Sequence, residues 1–128
     1  MAAGNAVLRP VLDPAGYKLA PTDNGRGSGG TFAVARWERG TQYIELHFRW
    51  ALGIVRYGWG AEAFDHAHIL GALGCTEAAY PGFSNDPTDG FRHLAVDLAG
   101  PLAELIGPTN GRVLELARVY EPPPRVLP

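Results

Sequence analysis

In the stretch "TQYIELHFRW", residues 41–50, Glu45, His47 and Arg49 occupy every second position. Along an extended chain successive side chains point to opposite faces, so a carboxylate, an imidazole and a guanidinium would stand side by side. A Glu–His pair can move a proton near neutrality, because the imidazole titrates there. Arg49, or Arg56 from the next run, would then hold an anionic substrate. Glu45, His47 and Arg49 are therefore the candidate catalytic set if the chain is a small enzyme.

The same face supports a second reading. Arg36 and Glu38 from the preceding run, Tyr43 from this one and Arg56 from the next would join it. Arg and Tyr are favoured at protein-binding surfaces. The loop "YPGFSNDPTDGF" adds Tyr80 and Phe83, two aromatic residues among turn-formers. Loops of this length in a compact domain are often functional. Arg36, Tyr43, Arg56, Tyr80 and Phe83 are the candidate partner-binding residues. Any half-exposed antiparallel sheet also presents such a charged face, stabilised by cross-strand pairs of about 0.2–1 kcal/mol each. A third, lesser option is a ligand cavity between sheet and helices lined by Trp37, Trp50 and Trp59.

Other motifs carry less. "GRGSGG", residues 25–30, fits G-x-G-x-x-G. A dinucleotide fingerprint needs a strand before the glycines and a helix after them to receive the pyrophosphate. Here a strand pattern follows instead, so the glycines are expected to turn the chain. "FDHAHIL" crowds Asp65, His66 and His68 together. On a helix, residues two apart diverge and cannot share one ion; no metal and no cofactor are expected. Cys75 falls at an expected helix end, where a thiolate is disfavoured. No nucleophilic triad announces itself by spacing, and "PGFSN" lacks the G-x-S-x-G elbow.

The elements that must position these residues follow from periodicity. "NAVLRPVLDPAGY" spaces Val7, Leu8, Val11 and Leu12 for a helix, with Asn5 as N-cap, Gly16 as terminator and Pro10 as a bend. "KLAPTDNGRGSGG" reads as loop. The period then becomes two. "TFAVARWERG", "TQYIELHFRW" and "IVRYGW" are strands joined by turns at Gly40–Thr41 and at "ALG", which predicts a three-stranded or slightly larger antiparallel meander. Ile44, Leu46, Phe48 and Trp50 take its apolar face, and Val55, Tyr57 and Trp59 alternate with Ile54 and Arg56. "AEAFDHAHILGALG" predicts a helix with Asp65 as N-cap and Gly74 as stop. "FRHLAVDLAGPLAELI" carries an apolar stripe kinked at Pro101. "GRVLELARVY" suits a helix or a strand, and "EPPPRVLP" an extended tail.

The result is one α+β domain over residues 1–128, a meander packed on one face by helices. Its 128 residues suffice to bury a core unaided. A net charge of −2 gives no footprint for nucleic acid or an anionic membrane surface. The single cysteine excludes an internal disulfide and suits a reducing compartment. With no leader pattern at the start and no run approaching the ~20 apolar residues of a membrane helix, a cytoplasmic protein is expected.

"LRPVLDPAGY", "FAVARWERG", "IELHFRWALGIVRY" and "YPGFSNDPTDGFRHL", in that order, resemble small bacterial α+β domains that open with a helix and a Gly-aromatic pair and continue through a charged meander. Some families of this build sit in toxin–immunity loci. The resemblance spans about residues 7–94 and implies a binding module of immunity type. The expected function is thus a cytoplasmic protein-binding domain with a protein partner, with homo-oligomerisation open; the alternative is the small enzyme.

Overall fold

The computed structural model describes residues 2–20, 23–27, 30–49, 51–75 and 88–121. Their order is α1 (Ala2–Leu12), β1 (Lys18–Leu19), β2 (Asp23–Gly27), β3 (Gly30–Arg39), β4 (Gln42–Arg49), β5 (Ala51–Trp59), β6 (Glu62–Asp65), α2 (His66–Ala72), α3 (Asp89–Ala99) and α4 (Gly111–Val119). The class is α+β, as expected.

The sheet is antiparallel throughout and runs β1-β3-β4-β5-β6, with β2 also on β3. It is larger than a three-stranded meander at both edges. "KLAPTDNGRG", read as loop, instead supplies β1 and β2, which line one edge of β3: Lys18 faces Glu38, and Asp23 faces Val34. Glycine-rich sequence is poor strand material by itself, and here the partner strand supplies the ladder. Gly25, Gly27 and Gly30 lie on the paired strands themselves, Gly27 opposite Gly30, and the turn expected of this stretch falls on residues 28–29, outside the described residues. At the other edge, "EAFD" forms β6 before the helix begins. Gly60, at φ +62°, lets a two-residue turn bring Glu62 opposite Trp59. Gly40, at φ +61°, does the same between Arg39 and Gln42. "ALG" is not a turn: Ala51 already pairs with Arg49, and the register shifts beside His47 and Phe48. That irregularity lets Leu52 and Val55 both point into the core while Ile54 faces out.

The alternation sorts the sheet cleanly. Ala35, Trp37, Ile44, Leu46, Val55 and Tyr57 are buried on one face. Leu8 and Leu12 of α1, Ile69 of α2, Phe91, Leu94 and Leu98 of α3, and Val113 and Ala117 of α4 meet them there. Asn5 is not an N-cap. It lies inside α1, buried, and accepts from Trp37 Nε1 at 3.3 Å. Pro10 is accommodated within α1. Gly16 and Gly74 follow α1 and α2 at positive φ, as their terminator role requires.

Pro101 ends α3 instead of kinking it. Proline offers no N–H to Asp97, and the Asp97 carbonyl accepts instead from Gly100 at 3.2 Å and Leu102 at 2.8 Å. The turns that follow still bury Leu102, Leu105 and Ile106. Residues 111–119 are helix, which resolves the helix-or-strand alternative. The expected "EPPPRVLP" tail lies outside the described residues beyond Glu121.

Candidate functional site

Four strands set the outer face. Register places Arg36 opposite Glu45, Glu45 opposite Arg56, and Arg56 opposite Asp65. Cationic and anionic positions therefore alternate across β3, β4, β5 and β6. The core residues of α1, α3 and α4 pack against the other face, while α2 borders this one beside Ile54 and Arg56.

Glu45 is its hub. One carboxylate oxygen accepts from Arg36 Nη2 at 2.8 Å, and the other accepts from His47 Nε2 at 2.7 Å. The carboxylate side chain is 16% exposed, the guanidinium and imidazole 40% and 35%. Burial works to raise the Glu45 pKa, but the hydrogen bonds from His47 and Arg36 outweigh it and hold the carboxyl below its ordinary range. The bond to Glu45 in turn raises Arg36. Arg36 also stacks over the Tyr43 ring at 4.0 Å and lies 4.0 Å from Glu38. Tyr43 has room for this because Gly58 is its cross-strand partner, and a Cβ there would sit 2.0 Å from the ring.

The structure thus brings Arg36, Tyr43, Glu45 and His47 into one bonded cluster. Arg49 ends β4 on the same strand. Arg56 shares the face and is exposed, but among the described residues it forms no ion pair, its cross-strand carboxylates being engaged elsewhere. Ile54, 46% exposed, stands beside it on β5. Tyr80, Phe83 and Trp50 lie outside the described residues. Of the other two tryptophans of the expected cavity, Trp37 is fully buried and bonded to Asn5, and Trp59 packs edge-on against Phe64 with centroids 6.2 Å apart.

His66 and His68 diverge as their helical spacing requires. Asp65 caps α2 by accepting from the His68 amide at 2.7 Å. His68 stacks on Phe64 and donates through Nε2 to the Ala117 carbonyl at 2.7 Å. His66 turns inward. Its Nδ1 is hydrogen-bonded to the Tyr57 hydroxyl at 2.6 Å, and its Nε2 lies 3.7 Å from the Asp97 carboxylate. All three residues are buried. Sequence reasoning missed this Tyr57–His66–Asp97 cluster. The available signal was Asp97 itself, a carboxylate set between Leu94 and Leu98 on the apolar stripe of α3, where only a partnered charge is tolerated.

A cleft of about 360 Å³ opens one strand away from the Glu45 hub, lined by Arg56 and Asp65 among others, but not by Glu45 or His47. The hub itself lies on the open face.

Comparison with protein-family models, curated proteins and solved structures returns no match. No described helix is long and apolar enough to cross a membrane.

Proposed function

We propose that this chain is a protein-binding module of immunity type, which recognises a protein partner through the outer face of its sheet. The observation that carries the reading is the pre-ordered cluster of Arg36, Tyr43, Glu45 and His47 on the outer face, with an exposed Ile54 and an Arg56 that forms no ion pair among the described residues beside it. A guanidinium already stacked on an aromatic ring and bonded to a carboxylate loses little conformational freedom when a partner docks, which is how interface anchors achieve affinity. Arg56 is the group such a partner would neutralise. Tyr80 and Phe83, which lie outside the described residues, enter the proposal from their sequence context alone, and a cytoplasmic location fits the chain's lone cysteine.

The small-enzyme alternative rests on the 2.7 Å contact between Glu45 and His47. It is the weaker reading. Both Glu45 oxygens are already bonded and the carboxyl is held in its charged form, so it serves to fix the imidazole and guanidinium and is a poor proton acceptor near neutrality. The lining of the neighbouring cleft also omits the pair.

Affinity capture from cells of the native host tests the reading. The wild-type chain is expected to retain a specific protein that Arg36→Ala and Arg56→Glu lose, and that protein is expected to be toxic when expressed alone and harmless when co-expressed with this chain. Capture of no protein above background, or equal capture by both variants, rejects the surface; a captured protein without toxicity rejects the immunity assignment.

A further inference from the structure

We infer that the cleft between β5 and α2 is a binding site for a free α-amino acid with an apolar side chain. Arg56 and Asp65 are direct cross-strand partners, yet they form no ion pair with one another. Such a pair on neighbouring strands would ordinarily close. Asp65 instead gives Oδ1 to the His68 amide as the cap of α2, which draws its carboxylate toward the helix and leaves Oδ2 for another donor. The guanidinium of Arg56 has no carboxylate among the described residues. A cation and an anion are therefore held apart at the rim of one cleft.

Ile54, Ala67 and Leu70 give that cleft apolar walls, and Gly53 and Val55 also border it. Its volume, about 360 Å³, falls in the range of small-molecule sites, roughly 300–1,000 Å³, which combine apolar walls with a few placed polar groups. His66 also borders it. Its Nδ1 is taken by Tyr57 and its Nε2 faces Asp97, so the imidazole serves as fixed wall.

The charges select the ligand. A simple carboxylic acid would match Arg56 but bring its charge toward Asp65. An amine would match Asp65 and meet Arg56, and a phosphate would place about two negative charges beside a carboxylate. A zwitterion satisfies both: its carboxylate accepts from the Arg56 guanidinium, its ammonium donates to Asp65 Oδ2, and its side chain lies against Ala67 and Leu70. This site shares Ile54 and Arg56 with the face proposed above, but it does not rest on that reading and its test uses no partner.

Titration of ¹⁵N-labelled full-length protein with L-phenylalanine and L-leucine, followed by NMR, provides that test. Saturable shifts are expected at the Gly53 and Ala67 amides. N-acetyl-L-phenylalanine, which lacks the ammonium, and L-phenylalaninamide, which lacks the carboxylate, are each expected to bind at least about tenfold more weakly, the scale of one charge-assisted hydrogen bond. Arg56→Gln and Asp65→Asn are expected to weaken L-phenylalanine to the same degree, while Lys18→Gln, on the opposite edge of the sheet, leaves it unchanged. Asn caps a helix as well as Asp, so Asp65→Asn removes the charge and keeps α2; thermal melts of both variants confirm the fold. No shift at Gly53 or Ala67 overturns the site. Equal binding of the blocked derivatives, or full affinity in both variants, overturns the zwitterion assignment.

Discussion

Glu45 joins a carboxylate to two donors that both favour its charged form, and this has a consequence for stability. Its pKa is lower in the folded protein than in the unfolded chain, so between the two values the unfolded state binds more protons. The resulting stabilisation is fully present above the ordinary glutamate pKa of about 4.3 and is lost as pH falls through the lowered folded value. Glu45→Gln is expected to flatten that acid limb, measured as the urea midpoint against pH from neutrality downward; parallel curves for variant and wild type would show that the bonds to Arg36 and His47 contribute nothing. The placement of Glu45 and His47 was legible because a period of two is an unambiguous instruction once one face is apolar. The Tyr57–His66–Asp97 contact was not. Its three members come from β5, α2 and α3, no local period links them, and only the packing of α3 against the sheet brings the carboxylate to the imidazole.

At the scale of the element, the passage from β6 into α2 is the transition on which both the face and the cleft depend. Asp65 is the last residue of β6 and the cap of α2. The cap is readable from the residue type, but Ala and Glu favour helix intrinsically, so "EAF" before it also reads as helix in the sequence. Pairing of Arg56, Tyr57, Gly58 and Trp59 with Asp65, Phe64, Ala63 and Glu62 overrides that preference. A helix extended backwards through Glu62 would strip β5 of its partner and remove Asp65 from the rim. Asp65→Ala is therefore expected to cost about 1 kcal/mol by chemical denaturation, the usual value of a lost N-cap, whereas Asp65→Asn should fall within a few tenths of wild type. A similar cost in both variants would mean that the charge, and not the cap, is what α2 requires. At Pro101, too, neighbouring structure decides what the residue type leaves open. A proline's missing donor permits either a kink or a stop, and the choice was made by Leu102, whose amide reaches the Asp97 carbonyl and closes the helix.

Across the whole molecule, one side chain ties together segments far apart in sequence. Arg39, at the end of β3, donates from Nη1 to the carbonyls of Ala15 and Ile106, each at 2.8 Å, and from Nη2 to Gln42 Oε1 at 2.8 Å and the Gly107 carbonyl at 2.9 Å. It also stacks over Tyr17 at 4.5 Å. Gln42 extends the junction to Asn110, which donates in turn to the Leu105 carbonyl at 2.7 Å. The turn after α1, the β3–β4 hairpin and the irregular segment between α3 and α4 are thereby joined at one end of the sheet. In the sequence Arg39 is simply a polar residue before a Gly-Thr turn, since its acceptors are backbone carbonyls, which no residue type advertises. Only guanidinium geometry supplies several donors in a fixed plane and a flat face for the tyrosine ring. Arg39→Lys keeps the charge but cannot reproduce that fork, and is expected to destabilise the protein by about 1–3 kcal/mol, because part-buried carbonyls lose charge-assisted partners. Hydrogen exchange should report the loss as faster opening of the segment around Ile106 and Gly107 and of the hairpin at Gly40, with α2 and α4 less affected. A lysine variant as stable as wild type would mean that the apolar core alone holds these segments together, and that the junction follows from the fold without supporting it.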